Sequence, residues 1–291
     1  MISVLIPNYN YDCLRLVSDL HVQLSASGVP FEIIVAEDGS TEHLENNRKM
    51  LALAHVRYEE RKENVGRFKI REFLPSLAQY PYLLCMDSDT RVVRKDYIEK
   101  YLDFARRGER AVVVGGKTSI PGGMPAPCYS LRYTYECKRE TRPNRPRGFS
   151  TFNYMVPAEA LRQISFEYSL SYGHEDTVMG IHFKRLGLPI VRIDNPLVHL
   201  GLDANKQMLE KSVLANQSLL QLYNSGRYPE LVQESRLLAC YLKVKRLRMA
   251  ALVRCVFKLS EKALLKNLNS LHPSMLLFDF YRLGNLLSRP C

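Results

Sequence analysis

No stretch of the 291 residues approaches the ~18–20 consecutive apolar residues that a membrane span needs. The N-terminus has no basic n-region and no small-residue cleavage site, so no signal peptide is expected. The seven cysteines, at 13, 85, 128, 137, 240, 255 and 291, are odd in number and scattered, and they form no Cys-x-x-Cys pair. That excludes a disulfide framework and a cysteine zinc site, and it suits reduced thiols in a cytoplasm. With 46% hydrophobic and 24% charged residues, and Gly and Pro spread thinly, the chain is neither disordered nor of low complexity. It is long enough to bury a core without staples.

What is present is an uneven charge. Residues 230–291 hold 11 basic and 4 acidic residues, which is +7 of the overall +11. A basic tail implies an anionic partner, whether nucleic acid, a membrane or a phosphorylated ligand.

The first half alternates short apolar runs with helical periodicity. Runs at 2–6, 31–35, 56–59, 82–86 and 111–114 read as strands. Between them, Asp12 can cap a helix with Leu14, Val17, Leu20 and Leu24 on its apolar face, and Ser40 can cap a second reaching about residue 54. Helices are expected at 65–79 and 95–107. This alternation implies a doubly wound α/β sheet, whose ligands gather beyond the carboxyl ends of the strands. Asn8-Tyr9-Asn10, Glu37-Asp38-Gly39-Ser40 and Asp87-Ser88-Asp89 all fall at such ends. Further on, 131–137 reads as a strand and 138–148 as a basic loop. Next come strands at 152–156, 190–193 and 197–199, a helix from about 175 to 186, and helices throughout from 205.

Three groups could carry chemistry. Asp87 and Asp89, two residues apart, can share a hard divalent cation or divide metal and hydroxyl binding, though Asp-x-Asp is also an ordinary turn composition. Glu175 and Asp176 open a helix, where acidic residues favour the dipole, but a carboxylate there can also act as a general base. His199 ends an apolar strand, a place more often filled by a core histidine than by a ligand.

Taken in order, Val4-Leu5-Ile6-Pro7-Asn8-Tyr9-Asn10, Ile33 through Thr41, Asn64-Val65-Gly66 with Arg71, Asp87-Ser88-Asp89, and Glu175-Asp176 with Arg185-Leu186-Gly187 resemble the family-2 inverting glycosyltransferases of the GT-A fold. The resemblance covers roughly residues 1–200. It implies a GT-A catalytic domain over 1–204 and a mostly helical, basic extension over 205–291. It also implies a nucleotide-binding site in which Pro7 and Tyr9 shape the base slot and Asp38 accepts the imide N–H. Arg71 would brace Asp38 or reach the base. Asp87 and Ser88 would meet the ribose, while Asp89 and His199 would hold Mn²⁺ or Mg²⁺. Asp176 would be the catalytic base and Glu175 its neighbour toward the acceptor. The donor is expected to be UDP-linked and the acceptor a glycan or a lipid-linked sugar. Glu37 stands where many members have a second Asp, and Arg71 lacks the Asn that often follows it.

Two other classes stand as alternatives. One is a non-catalytic binding protein working through its basic helices. The other is an Fe(II) oxygenase with His174, Asp176 and His199 as a facial triad, which requires a double-stranded β-helix. In the tail, Leu242, Met249, Leu252, Val253 and Val256 make an apolar stripe beside Lys243, Arg246, Arg254 and Lys258. The stripe is expected to pack on the catalytic domain, with the basic residues left to attract an anionic membrane; nucleic acid is disfavoured. The chain is thus expected to be cytoplasmic and peripheral to the membrane. The basic segment 138–147 is expected to act as a lid.

Overall fold

In the computed structural model, which describes residues 1–141, 148–164 and 172–288, the apolar runs become strands. They are β1 (Ile2–Asn8), β2 (Phe31–Asp38), β3 (Val56–Arg61), β4 (Tyr82–Met86), β5 (Thr90–Arg91), β6 (Val112–Val114), β7 (Lys117–Thr118), β8 (Asn153–Pro157), β9 (Ile190–Arg192) and β10 (Leu197–His199). Seven of them form one sheet in the order β3-β2-β1-β4-β8-β6-β9, and β5-β10-β7 form a second, small sheet. β1 runs parallel to β2 and to β4, so the strand order turns back at β1, where a ligand crevice opens in sheets of this kind. β8 is antiparallel to both β4 and β6, so the sheet is mixed rather than purely parallel. An apolar run marks a buried strand but carries no direction, so the antiparallel course of β8 within the expected α/β sheet is set only by its pairing with β4 and β6.

All eight residues of β2 are buried. The helix Leu14–Ala26 buries Leu16, Val17, Leu20 and Leu24, and Tyr97–Arg106 buries Tyr97, Ile98, Tyr101 and Leu102. Both pack with Ile2, Val4, Ile6, Ile33, Val35 and Leu84 in one core. Leu5 and Cys85 alternate to the other face, where they line a small pocket with Leu74 of the helix Arg67–Leu77. Cys13, not Asp12, takes the cap position of the first helix; Asp12 stands one residue before it, its Oδ1 accepting the Leu14 N–H at 3.2 Å in the turn that leads in. Ser40 caps nothing. The helix expected to follow it is only Leu44–Arg48, continued by a tight turn over Lys49–Ala52, and the Ser40 hydroxyl is taken by Glu37.

These strands belong to a compact unit made of Met1–Thr118, Phe149–Ser169 and His182–Gly201. A second unit comprises Ser119–Gly148, Leu170–Ile181 and Leu202–Cys291. In the second unit the segment expected as a strand at 131–137 is a helix, Ser130–Tyr135, followed by a wider turn over Glu136–Glu140. Two things override its alternating pattern. Arg132 reaches Glu136 at 3.3 Å and Glu140 at 2.7 Å, a spacing that only a helix brings together. Leu131 is fully buried among Met208, Leu209, Phe257, Leu264 and Phe278. Most of the expected lid falls at 142–147, outside the described residues.

The helices Asn205–Asn224, Arg236–Arg246, Ala250–Leu268 and Met275–Leu287 complete this unit. Among the described residues no helix is long and apolar enough to cross a membrane. The tail stripe does not pack inward as expected: Met249, Leu252 and Val256 are exposed, and Phe257, Leu264 and Leu268 form the buried face instead. Arg248 adopts a left-handed φ of 56°, which breaks the helix and resets its phase between 246 and 250. Gly284 lets the last helix close on Phe257, since a Cβ there would stand 2.3 Å from the ring. Gly284→Ala should therefore lower stability by about 1–3 kcal/mol, the overpacking cost outweighing the helix-propensity gain. A urea-unfolding midpoint at or above wild type would show that the contact tolerates a methyl group.

Candidate active site

The carboxyl ends of the first three strands are tied together by one buried side chain. Glu37, 1% exposed at the end of β2, accepts hydrogen bonds from Asn8 Nδ2 at 2.8 Å, Asn47 Nδ2 at 3.0 Å, Tyr58 Oη at 2.6 Å and the Ser40 hydroxyl. Burial and the bond to Glu37 push the Tyr58 phenol above its ordinary pKa, so it stays a donor. Asn10, at a φ of 49°, completes the loop by accepting the Thr41 N–H at 2.7 Å, while its own N–H meets Ser40 Oγ at 2.9 Å. Pro7 is half-buried at this rim and Tyr9 is exposed. Asp38 is buried, its two oxygens accepting the N–H groups of Val65 at 2.8 Å and Gly66 at 2.9 Å. Gly39 makes that docking feasible, because a Cβ there would lie 2.3 Å from the Asn64 backbone nitrogen and φ is 71°.

Arg71 does not brace Asp38. Asp38 already has two backbone donors, and the Arg71 guanidinium instead bonds Asp87 Oδ1, with Arg67 3.7 Å from the other oxygen. Asp87 begins the turn after β4, closed by Thr90 Oγ1 donating to the Asp87 carbonyl at 3.0 Å, with Ser88 buried inside it. The chain then enters β5, which pairs antiparallel with β10 and sets His199 opposite Thr90. That pairing brings His199 Nε2 to 3.3 Å from Asp89 Oδ2, and the Leu200 N–H bonds the Asp89 carbonyl at 2.8 Å. Gly201 must be glycine, as a Cβ would stand 1.9 Å from the same Asp89 oxygen.

The other oxygen of Asp89, Oδ1, is buried and has no hydrogen-bond partner. Burial works to raise the pKa of this carboxyl, but the hydrogen bond from His199 and the nearby charges of His199, Lys117 and Arg67 outweigh it and hold it below the ordinary value. Among the described residues no three His, Cys, Asp or Glu side chains gather as metal ligands. A buried, ionised oxygen beside an imidazole nevertheless fits a divalent cation that takes its remaining ligands from water and a diphosphate. Asp89 and His199 are the two side chains there that could hold such an ion.

Several contributors escaped sequence reasoning. Glu37 reads as a substitution, not as the tie between strands. Lys117, whose Nζ lies 4.2 Å from the centroid of Phe152, follows a Gly-Gly pair but matches no motif. Phe152 meets the His199 ring edge-on at 5.4 Å. Arg67 carried one signal, its position four residues before Arg71 on the same helix.

Glu175 and Asp176 lie in the second unit, at the head of the helix Glu175–Arg185. Glu175 is buried and Asp176 half-buried. Two successive left-handed residues, Gly173 at a φ of 79° and His174 at 69°, turn the chain into this helix. His174 is half-buried with its Nε2 out of solvent, and desolvation, reinforced by the Arg282 charge, pushes its pKa down to about 4 against the opposing effects of Glu175 and the Ala215 backbone.

The mixed α/β sheet that turns back at β1, with carboxylates at the ends of β2 and β4, is the architecture of the GT-A class. Residues 3–167 match the family described as Glycosyl transferase family 2, more than half the chain, and the protein belongs to that family. It is therefore a glycosyltransferase by class, and the described residues form two open sheets rather than the double-stranded β-helix that the oxygenase alternative requires. Three solved structures share the fold. The mannosyltransferase PcManGT from Pyrobaculum calidifontis, in complex with GDP-Man and Mn²⁺, is 14% identical with a TM-score of 0.59, covering 98% of this chain and 84% of its own. S. aureus TarS 1–349 in complex with UDP is 18% identical at 0.53, covering 97% and 90%. Glucosyl-3-phosphoglycerate synthase from Mycobacterium tuberculosis, in complex with Mn²⁺, UDP and glucosyl-3-phosphoglycerate, is 18% identical at 0.52, covering 76% and 79%. No curated protein matches the sequence.

His174 predicts a pH dependence. Its folded pKa of about 4 lies below the 6.5 of an unperturbed histidine. Between these values the unfolded chain binds a proton that the folded chain does not, so stability falls as pH drops through that window, by about 3 kcal/mol in all. His174→Asn, which tolerates the left-handed backbone, should flatten the dependence of the urea midpoint between pH 7 and pH 4. An unchanged slope would assign it to other groups.

Proposed function

We propose that the chain is a metal-dependent, inverting glycosyltransferase. On this reading it moves a sugar from a nucleotide-diphosphate donor, UDP-linked, to a hydroxyl of a glycan or lipid-linked acceptor. The observation that carries the reading is the Asp89–His199 pair at the carboxyl end of β4, with one buried carboxylate oxygen left without a partner. Of the alternatives, the non-catalytic binding protein gives no reason to keep an ionised carboxylate beside an imidazole with one oxygen buried and unpartnered.

On this reading each residue has a distinct task. Asp38 accepts the imide N–H of the base, its carboxylate aimed by the Val65 and Gly66 amides. Pro7 and Tyr9 line the base slot. Asp87 takes ribose hydroxyls, oriented by the Arg71 guanidinium, and Ser88 shapes the turn that presents it. Asp89 and His199 hold Mn²⁺ or Mg²⁺, and the imidazole tilts the choice toward Mn²⁺. The bound ion supplies Lewis-acid stabilisation of the charge that develops on the departing diphosphate. By the family resemblance, Asp176 takes the proton of the acceptor hydroxyl as it attacks, and Glu175 meets the acceptor. Single displacement with inversion follows from the same resemblance. The relatives' ligands support the reading, since those three complexes contain GDP-Man or UDP, and two of the three contain Mn²⁺. The domain division at 204, and work in the cytoplasm at the surface of an anionic membrane, belong to this reading too.

Asp89→Ala and His199→Ala should each abolish the Mn²⁺-dependent part of the thermal shift given by a UDP-sugar, because each removes one of only two side-chain ligands. Binding with unchanged metal dependence in both variants would remove this pair from the site.

Asp176→Asn should keep donor affinity and lose ~10²–10⁴ in kcat, since an amide cannot take the acceptor's proton. An Asp that only favoured the helix start would behave otherwise, as Asn serves there equally well. Near-wild-type turnover would therefore move the base to Glu175.

A further inference from the structure

We infer that the outer face of the helix Ala250–Leu268, with the corner that precedes it, is a docking surface for an anionic lipid bilayer. The inference deepens the membrane-surface part of the proposed function by naming the element that makes the contact. It stands on three observations within the second unit.

The first is an apolar stripe that the fold leaves in solvent. Leu252, Val256, Leu259 and Ala263 repeat at intervals of four, three and four residues and are all exposed, Leu259 at 83% and Leu252 at 58%. At the corner, Leu247 and Met249 are exposed as well, 56% and 43%. The stripe is not a core face awaiting a partner helix. The helix already buries Phe257, Leu264 and Leu268 on another side, locked by the close approach of Gly284 to Phe257. A helix with one buried apolar face and a second, exposed one has a use for both.

The second is charge. Over residues 243–268 the sequence has eight basic residues and a single acidic one, Glu261. Lys258, Lys262 and Lys266 follow one another at four-residue spacing along a flank of the exposed stripe, with Arg254 one turn before them, and all four are exposed. The corner adds Lys243, Lys245, Arg246 and Arg248, exposed too. Exposed leucine and valine beside a basic flank match a bilayer interface: the apolar side chains enter the acyl boundary and the ammonium and guanidinium groups meet lipid phosphates. A nucleic acid would use the basic flank but not the apolar stripe.

The third is the backbone at Arg248. Its left-handed φ of 56° ends one helix and starts the next, placing Leu247 and Met249 at the tip of the bend. A bend tip carrying two exposed apolar side chains among four basic ones is shaped to enter a surface rather than to span it, and no described helix is long and apolar enough to span.

The test is co-sedimentation of the full chain with vesicles of phosphatidylcholine alone and of an equal mixture of phosphatidylcholine and phosphatidylglycerol. Wild type should bind the anionic vesicles and not the neutral ones, with affinity falling as salt rises. Lys258→Gln/Lys262→Gln/Lys266→Gln should weaken binding about a hundredfold, at ~1 kcal/mol per basic residue. Leu252→Ser/Leu259→Ser should weaken it by at least about tenfold. Both variants alter exposed positions, so their melting temperatures should match wild type and confirm folding. Absence of binding to anionic vesicles, or binding unchanged in both variants, overturns the inference. So does tight association with a DNA duplex in the absence of any vesicle binding. Thermal shift with a UDP-sugar and Mn²⁺ on the same samples keeps the two readings apart. Donor binding without vesicle binding overturns the docking face alone, and vesicle binding without donor binding overturns only the UDP-linked, metal-dependent donor reading.

Discussion

A single buried carboxylate organises the carboxyl ends of the first strands of this protein. Glu37 collects hydrogen bonds from Asn8 on β1, Tyr58 on β3, Asn47 in the helix Leu44–Arg48 and Ser40 in the loop between. All four donors are neutral, so the carboxylate is held by hydrogen bonding rather than by an ion pair. Removing any one donor would leave buried acceptor capacity unmet, which costs more than the bond itself contributes. The strand ends are thus fixed in register with the loops that follow. Asp38, the next residue, is aimed by the same geometry at the Val65 and Gly66 amides.

A second constraint acts at the end of β4. Asp89 keeps one oxygen toward His199 and the other buried without a partner, in surroundings whose net positive charge keeps it ionised. A buried carboxylate oxygen without a hydrogen-bond partner is costly for the fold. Its position depends on distant parts of the chain: β5 and β10 are about a hundred residues apart in sequence, and Gly201 is needed so that β10 can lie against Asp89.

The second unit is stabilised differently. Its core is aliphatic and aromatic, centred on Phe257, Leu268 and Phe278, and its polar interior is the Arg132–Glu136–Glu140 cluster, where the buried Glu136 is matched by a largely buried guanidinium. Arg139 adds a link to Asp279 at 2.6 Å. Helices packed on one face by such a core are free to present another face outward, as Ala250–Leu268 does.

Local pattern was enough to find the strands at 2–6, 31–35 and 82–86, the helix on Leu14, Val17, Leu20 and Leu24, and the polar clusters at strand ends, because burial of a strand or helix face leaves its period in the sequence. The order of the motifs was enough for the family. Other features depended on contacts between residues far apart. The strand direction of β8 is invisible in an apolar run. The helix at 130–135 is decided by Arg132 meeting Glu136 and Glu140 and by Leu131 entering a helical core, against an alternating local pattern. Arg71 chooses Asp87 over Asp38 because backbone amides from a loop 27 and 28 residues downstream have already occupied Asp38. Met249, Leu252 and Val256 of the tail stripe are exposed because Phe257, Leu264 and Leu268 on another side of the helix take the core, and the left-handed Arg248 separates them from Leu242. Sequence period reports how much of a side chain is buried, whereas partner choice, strand direction and phase are set only when distant segments compete for the same donors and the same space.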